Sequence, residues 1–327
     1  MAIISDLHTS PVITRHPANP VLTAADVPYN AALIFNAGVC RWQGQYVMVF
    51  RNDYGSLAEQ KLTGTNIGLA TSPDGVTWTV APEPCFALED EEIVRAYDPR
   101  LTVIDGRVTM CFAVDTRHGL RGGIATTDDF EQFEVLSMSV PDNRNMVLFD
   151  RTFDGKYVRL ERPMPIYSRG SGEKFDIWIS DSPDLRYWGN SALLVGGETV
   201  PFANAKIGPA APPVLTDAGW LAVFHAVDID PERGKHGWEA KWTKRYTAGI
   251  MLLDRDNPYK VLGVSPDPLI APEAEYEVDG GFRNNVIFPT GMILEDSGEV
   301  KIYYGAADTV MCLATADVAD LVKLCLR

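Results

Sequence analysis

Residues 67–78 read IGLATSPDGVTW, and the same cadence returns four more times: GGIATTDDFEQF from Gly122, FDIWISDSPDLRYWG from Phe175, AGIMLLDRDNPYKVLG from Ala248 and MCLATADVADL from Met311. Each is a short β-branched or apolar run followed by a polar, Asp-rich turn, and four of them place an aromatic or apolar residue where the chain resumes. Such a pattern reads as strand, turn, strand. A second set precedes these: YVMVFRND from Tyr46, VTMCFAVD from Val108, KYVRLERP from Lys156, WLAVFHAVD from Trp220 and VKIYYGAAD from Val300. Its period of two is that of half-buried strands. A third set lies just upstream: FNAGVCRW, YDPRLTVI, NMVLFDRTF, KIGPAAPPVL and NNVIFPTGMIL. It joins the second through turns such as Asp105-Gly106, Asp154-Gly155 and Ser297-Gly298, which have hairpin chemistry.

A unit of about three to four antiparallel strands that recurs five times is one sheet per blade of a propeller. The expected fold is all-β, a single five-bladed β-propeller domain over residues 1–327. A β-sandwich would not need the same three-strand order five times. One helix is expected, from about Val318 to Leu326. Because the innermost strands of a propeller line its central channel, polar residues at equivalent points of each repeat should converge at one mouth. The first row of such residues is Asn36, Asp98, Arg144, Lys206 and Asn285; the ends of the following strands supply Arg51, Asp115, Arg162, His225 and Asp308. These residue types are costly beside a core unless they meet each other or a ligand.

The composition supports a globular chain: 46% hydrophobic and 22% charged residues, with a net charge of -15. That charge argues against nucleic acid and anionic membranes as partners, so an anion would need a local cationic pocket. Arg144, Arg162 and Lys206, from two neighbouring repeats, have the residue types for one: Arg offers a planar fork to an oxyanion and Lys a point charge. Structural salt bridges are the alternative for each; Glu161, adjacent to Arg162, should point to the opposite face. The five cysteines are widely spaced without a CxxC pair, which suits reduced thiols in the cytoplasm. The N-terminus has no basic region followed by an apolar stretch, so no signal peptide is expected, and no apolar run is long enough to span a membrane. GxGxxG, P-loop, GxSxG and HExxH motifs are absent, and the dispersed histidines argue against a multi-histidine metal site.

Asp98 lies in AYDPR, where Pro99 should hold it in extended backbone. It is either a general acid or an Asp that bonds local amides. An inverting glycosidase needs one carboxylic acid and one carboxylate that activates water. If phosphate replaces water, the second carboxylate is dispensable, and one acid facing a cationic cradle with sugar-binding groups between is sufficient.

The runs AYDPR, NRNMVLF, LERP, KIGPAAPP, FHAVD, NNVIFPTG and IYYGAAD resemble glycoside hydrolase family 130, the β-mannoside phosphorylases and related β-mannosidases, from about Asn36 to the C-terminus. The resemblance implies a five-bladed propeller and inverting phosphorolysis that releases α-mannose 1-phosphate. It implies Asp98 as the sole catalytic acid, acting through the 3-hydroxyl of the bound mannose. It implies Arg144, Arg162, Lys206 and Tyr246 around phosphate, and Asn36, Arg51 and Asp308 around mannose. Asp115 and His225 join the substrate-binding set by their places in the repeat. The hydrolytic members lack the basic set, so its presence favours phosphorolysis. Three stretches depart from the family pattern: Asp150-Arg151, YSRGSGEKFD (167–176) and the long polar segment 230–246, where Trp238 and Trp242 could stack on sugar rings.

The resulting expectation is a β-1,4-mannooligosaccharide phosphorylase that uses a β-mannoside and inorganic phosphate, with no cofactor; assembly into a homo-oligomer is left open. Alternatives are a phosphorylase of β-1,2-mannosides or of mannosyl-N-acetylglucosamine, a β-mannosidase, or a non-catalytic sugar-binding propeller.

Overall fold

The computed structural model describes residues 4, 6–165, 175–233, 238 and 242–326. Most of the 167–176 stretch, and part of 230–246, therefore lie outside the described residues. Five antiparallel sheets follow one another along the chain. Strand β1 (Thr14–Arg15) comes first, and blade 1 then comprises β2 (Leu33–Trp42), β3 (Gln45–Ser56), β4 (Lys61–Ser72) and β5 (Thr79–Val80). Blade 2 comprises β6 (Ile93–Ile104), β7 (Arg107–Thr116), β8 (Gly119–Thr127) and β9 (Glu134–Met138). Blade 3 comprises β10 (Asn143–Phe153), β11 (Lys156–Pro163), β12 (Ile177–Ser182) and β13 (Gly189–Val195). Blade 4 has an interrupted inner edge, β14 (Lys206–Pro209) and β15 (Val214–Thr216), both paired with β16 (Gly219–Ile229), followed by β17 (Lys244–Leu253) and β18 (Val261–Val264).

Blade 5 comprises β19 (Ile287–Leu294), β20 (Glu299–Ala306) and β21 (Val310–Asp317), and its outermost strand is β1, with Thr14 opposite Thr315 and Arg15 opposite Ala314. The ring thus closes by joining the two ends of the chain in one sheet, with β1 covering part of the outer edge of β21. Arg15 locks this short strand: its Nε and Nη2 donate to the two Glu277 carboxylate oxygens at 2.8 Å each, and Tyr304 donates to the same carboxylate at 2.8 Å. Glu277 belongs to the short helix α1 (Glu275–Val278).

The three sets of strands read from the sequence are the first three strands of each blade, and helix α2 (Val318–Cys325) follows β21 with Asp317 accepting from the Ala319 amide. The Asp105-Gly106 and Asp154-Gly155 hairpins have φ of 50°, 77°, 49° and 76° in turn order, the paired positive angles of a type I′ turn. Ser297-Gly298 does not share them, since only Gly298 is positive there. The Asp-rich turns recur as local cages: Asp74 accepts from the amides of Val76 and Thr77, Asp129 from Glu131 and Gln132, Asp184 from Arg186 and Tyr187.

The five main apolar clusters each fill the gap between neighbouring blades. Phe149, Ile179, Trp220 and Phe224 bind blade 3 to blade 4, for example, and Met48, Phe50, Tyr303 and Leu313 bind blade 1 to blade 5. Packing between blades fixes the inner strands relative to one another, and through them the channel. No helix among the described residues is long and apolar enough to cross a membrane.

Candidate active site

At one mouth of the channel the start of the inner strands encloses a cavity of about 190 Å³, lined by Asn36, Arg51, Asp98, Arg144, Arg162, Tyr246 and Asp308 among the residues expected from sequence. The inner strands do not approach it as plain strands. In β2, β6 and β10 the pairing register slips, between Phe35 and Gly38, between Tyr97 and Arg100 and between Arg144 and Val147. At each slip one polar residue is left-handed: Asn36 at φ 51°, Asp98 at 53° and Asn145 at 59°. These are bulges, which re-aim a side chain out of the strand's alternation. Asn and Asp are the non-glycine residues that tolerate this conformation best. The extended backbone expected for Asp98 ahead of Pro99 is therefore not observed; the bulge overrides the pre-proline preference.

The bulges also correct the repeat register. Asn145, not Arg144, is the counterpart of Asn36 and Asp98; Arg144 precedes the bulge, as Phe35 and Tyr97 do. Arg51 pairs with Phe35 and Arg162 with Arg144, but Asp115 pairs with Arg95, so its counterpart in blade 1 is Asp53. Asp115 does not line the cavity. It accepts from Arg95 Nε and from the Tyr97 hydroxyl, each at 2.7 Å, and holds those two lining residues in place. Asp53 does the same for Arg51, taking Nε at 2.9 Å and Nη2 at 2.6 Å.

Asp98 accepts from Asn36 Nδ2 at 3.1 Å and Arg51 Nη1 at 3.2 Å through the same oxygen. Burial alone would raise its pKa, but Arg51, Arg100, Asn36 and Arg144 outweigh burial and hold the carboxyl below the usual carboxylate range. Asp308, whose Oδ2 accepts from Arg283 at 3.1 Å, moves the other way: burial pushes it up despite Arg283 and Arg51. The two cavity carboxyls are thus driven apart.

Arg144 and Arg162 are directly opposed across β10 and β11. Like charges so placed repel, unless an anion lies between them. Arg144 donates to the Tyr97 hydroxyl at 3.2 Å, and its buried Nε has no hydrogen-bond partner among the described residues. Arg162 donates to His225 Nε2 at 2.9 Å. A guanidinium only donates, so Nε2 must be the bare nitrogen of a neutral imidazole. Burial, then Arg162, Lys206 and Arg144, keep His225 far below its ordinary pKa. His225 is 0% exposed and lies outside the cavity lining, where it supports Arg162. Gly208 leaves the room for this pair, since a Cβ there would stand 2.5 Å from the His225 ring and 2.9 Å from Arg162 Cδ.

Lys206 does not line the cavity either. Its ammonium stands 5.7 Å from the ring centroid of Tyr246, which does. Tyr246 is stacked between His225, at 6.1 Å, and Trp242, at 5.8 Å. The Trp242 ring also carries the Arg283 guanidinium at 4.9 Å and is only 9% exposed, so it builds the wall and offers no open face to a sugar. Trp238 packs edge-on against Phe282 outside the cavity lining. Asn285 is also outside the lining; its carbonyl accepts from the Tyr246 amide at 2.9 Å. Tyr97, Arg95, Asn145, Arg283 and Phe288 line the cavity without having been singled out from sequence. Only Tyr97 and Asn145 carried a signal, as neighbours of Asp98 and Arg144. Asp150 and Arg151 line a separate cavity at the opposite end of the inner strands.

The fold and site define a propeller with a cavity at one end of its channel that is lined by both carboxyl and guanidinium groups. The family model described as β-1,4-mannooligosaccharide phosphorylase matches residues 7–327, and the chain belongs to that family, glycoside hydrolase family 130. It is 32% identical to the β-1,4-mannooligosaccharide phosphorylase of Ruminococcus albus, covering 95% of this chain and 90% of that one. It is 28% identical to the 1,2-β-oligomannan phosphorylase of a Thermoanaerobacter species, covering 94% and 98%. Among solved structures, the β-1,2-mannobiose phosphorylase of Listeria innocua, in complex with β-1,2-mannobiose, superposes with a TM-score of 0.80 at 26% identity, covering 95% and 98%.

Proposed function

We propose that this protein is an inverting phosphorylase that cleaves β-1,4-linked mannooligosaccharides with inorganic phosphate and releases α-mannose 1-phosphate. The observation that carries the assignment is the opposed pair Arg144 and Arg162 facing a single bulge-mounted Asp98 across one cavity. Phosphate occupies the cationic side, held by Arg144 and Arg162, with Tyr246 in the wall and Lys206 behind it. Asn36, Arg51 and Asp308 bind the mannose to be transferred. Phosphate attacks the anomeric carbon from the face opposite the scissile bond, and Asp98 supplies the proton for the leaving oxygen through the mannose 3-hydroxyl. Holding both reactants in line removes much of the entropic barrier.

The free cavity keeps Asp98 ionised, whereas the reaction needs it protonated. A phosphate dianion shifts that balance: it offsets Arg144, one of the groups that hold Asp98 down, and adds negative charge of its own. Neither a metal nor an organic cofactor has a part in this chemistry, phosphate being a co-substrate. Five free cysteines, four of them buried, suit a reducing cytoplasm.

A second linkage is favoured by a specific observation: the Thermoanaerobacter and Listeria relatives are phosphorylases of β-1,2-mannosides. The deciding experiment incubates β-1,4- and β-1,2-mannobiose with and without phosphate and measures mannose 1-phosphate and free mannose. Mannose 1-phosphate from the β-1,4 substrate, formed only with phosphate, is expected. Equal turnover without phosphate would identify a hydrolase, and tight mannoside binding with no turnover a binding protein.

A further inference from the structure

Arg100 is 2% exposed and among the largest fully buried side chains in the molecule. A buried charge is ordinarily paired with an opposite one, yet Arg100 forms no salt bridge to a carboxylate among the described residues. Its hydrogen-bond partners among the described residues are main-chain carbonyls. Nη1 donates to Asp98 O and to Pro99 O at 2.9 Å each, and Nε donates to Ala210 O at 2.5 Å. Asp98 and Pro99 are the two residues that the β6 bulge leaves out of register. Ala210 belongs to blade 4, which is not adjacent to blade 2, so that bond crosses the central channel. The guanidinium also lies 5.4 Å from the Phe288 ring of blade 5. Burial is severe enough to push its pKa down to about 10.

The repeat supplies its own control. The first residue to resume pairing after the left-handed bulge is Gly38 in blade 1, Val147 in blade 3 and Arg100 in blade 2. The bulges of blades 1 and 3 hold their left-handed Asn36 and Asn145 without a cation at this point. Only the blade that carries Asp98 places a guanidinium there. Gly38 lets the main chain of β6 approach closely at this point, because a Cβ at residue 38 would stand 2.8 Å from Leu101 N and 2.9 Å from Arg100 Cα. A hydrophobic side chain would fill the same space without the desolvation cost, so ring packing alone does not account for an arginine.

We infer that Arg100 is a positioning residue for the reaction: by gripping the carbonyls of Asp98 and Pro99 and anchoring to Ala210 across the channel, it fixes the bulge that aims the Asp98 carboxyl into the cavity. Three donors on one rigid fork define the orientation of two successive peptide planes. A lysine ammonium at that position keeps a charge but loses the planar geometry. Arg100 touches neither reactant and acts only through Asp98. The inference rests on the assignment of Asp98 as the acid for its kinetic consequence, but not for its structural one.

The test compares the wild type with Arg100→Lys and Arg100→Gln, each checked for a folded state by thermal melting. On whichever mannobiose the wild type phosphorolyses, kcat is expected to fall about 10²-fold, the size of effect that a small misplacement of a reacting group produces. KM for phosphate stays within about twofold, because Arg144 and Arg162 are untouched. Folded variants with wild-type kcat, equal losses in kcat and in phosphate affinity, or failure of both variants to fold would each overturn the inference. A crystal structure of Arg100→Lys tests it without turnover. Asp98 is expected to leave the left-handed region in that structure, and a retained bulge with an unmoved carboxylate overturns the proposal. Absence of phosphorolysis by the wild type would instead sink the assigned reaction and leave the crystallographic arm to decide the role of Arg100.

Discussion

The two sides of the axial cavity are braced by different chemistry. On the side of blades 1, 2 and 5, charge is set against charge: Arg51 on Asp53 and Asp98, Arg95 on Asp115, Arg283 on Asp308. Facing it, Arg144 rests on the Tyr97 hydroxyl and Arg162 on an uncharged His225. The first arrangement fixes shape and consumes its own charge, which suits the many hydroxyls of a sugar. The second rests Arg144 on a neutral hydroxyl, so its positive field remains available to an anion. A protein with a net charge of -15 can attract phosphate only where such a local field survives.

The sharpest break in that contrast comes from the acid itself. Asp98→Asn keeps the size and hydrogen-bonding ability of the side chain and removes the proton donor. Phosphorolysis is expected to fall by about 10³-fold, within the range for general acids, while phosphate binding measured by calorimetry persists. Near-wild-type turnover would remove Asp98 from the chemistry.

Smaller and more selective effects should separate the two sides. Arg144→Ala loses a charged hydrogen-bond donor and should raise KM for phosphate by about 10- to 100-fold, with a much weaker effect on the mannoside. Asp53→Asn loosens Arg51 and should raise KM for the mannoside by a few-fold instead. Initial-rate kinetics with each substrate varied in turn checks both. If either variant shifted the two constants equally, the division of the cavity into a sugar side and an anion side would be lost.

Much of this was legible in the residues, for a physical reason. Alternation and turn chemistry are local, so the five strand groups, the hairpins at Asp105 and Asp154 and the terminal helix could be read from short windows. The cavity residues Asn36, Arg51, Asp98, Arg144, Arg162, Tyr246 and Asp308 were reached by repeat position together with family resemblance. Register was not legible, because a bulge shifts which side chains face the channel without changing the apolar pattern around it. Hence Asp115 and His225, read as part of the cavity, lie outside its lining, and Asn145 was passed over for its neighbour. The pre-proline rule failed at Asp98, where tertiary contacts override a local preference. Ring closure by Thr14 and Arg15 was also invisible, since two residues carry no periodicity and their partners lie at the far end of the chain.

The least effect in size, though the most informative about coupling, concerns the proton on Asp98. Burial favours its neutral form, and Arg51, Arg100, Asn36 and Arg144 reverse that preference. The depressed value means that ionised Asp98 stabilises the fold at neutral pH, and this contribution disappears as pH falls through the folded-state value; Asp308, held above its ordinary value, has the opposite sign. A dianion beside Arg144 offsets one of the groups that hold Asp98 down, so its pKa must rise when phosphate binds. By linkage, binding of phosphate takes up a fraction of a proton from solvent. Calorimetry of phosphate binding in buffers of different ionisation enthalpy measures that uptake. The ionisation of phosphate itself contributes equally to wild type and Asp98→Asn, so the difference between them isolates Asp98. A positive difference that disappears in Arg144→Ala would show the cationic side setting the protonation of the acid opposite. Identical uptake in wild type and Asp98→Asn would mean that the two sides act independently, and the acid would then have to be protonated by the mannoside alone.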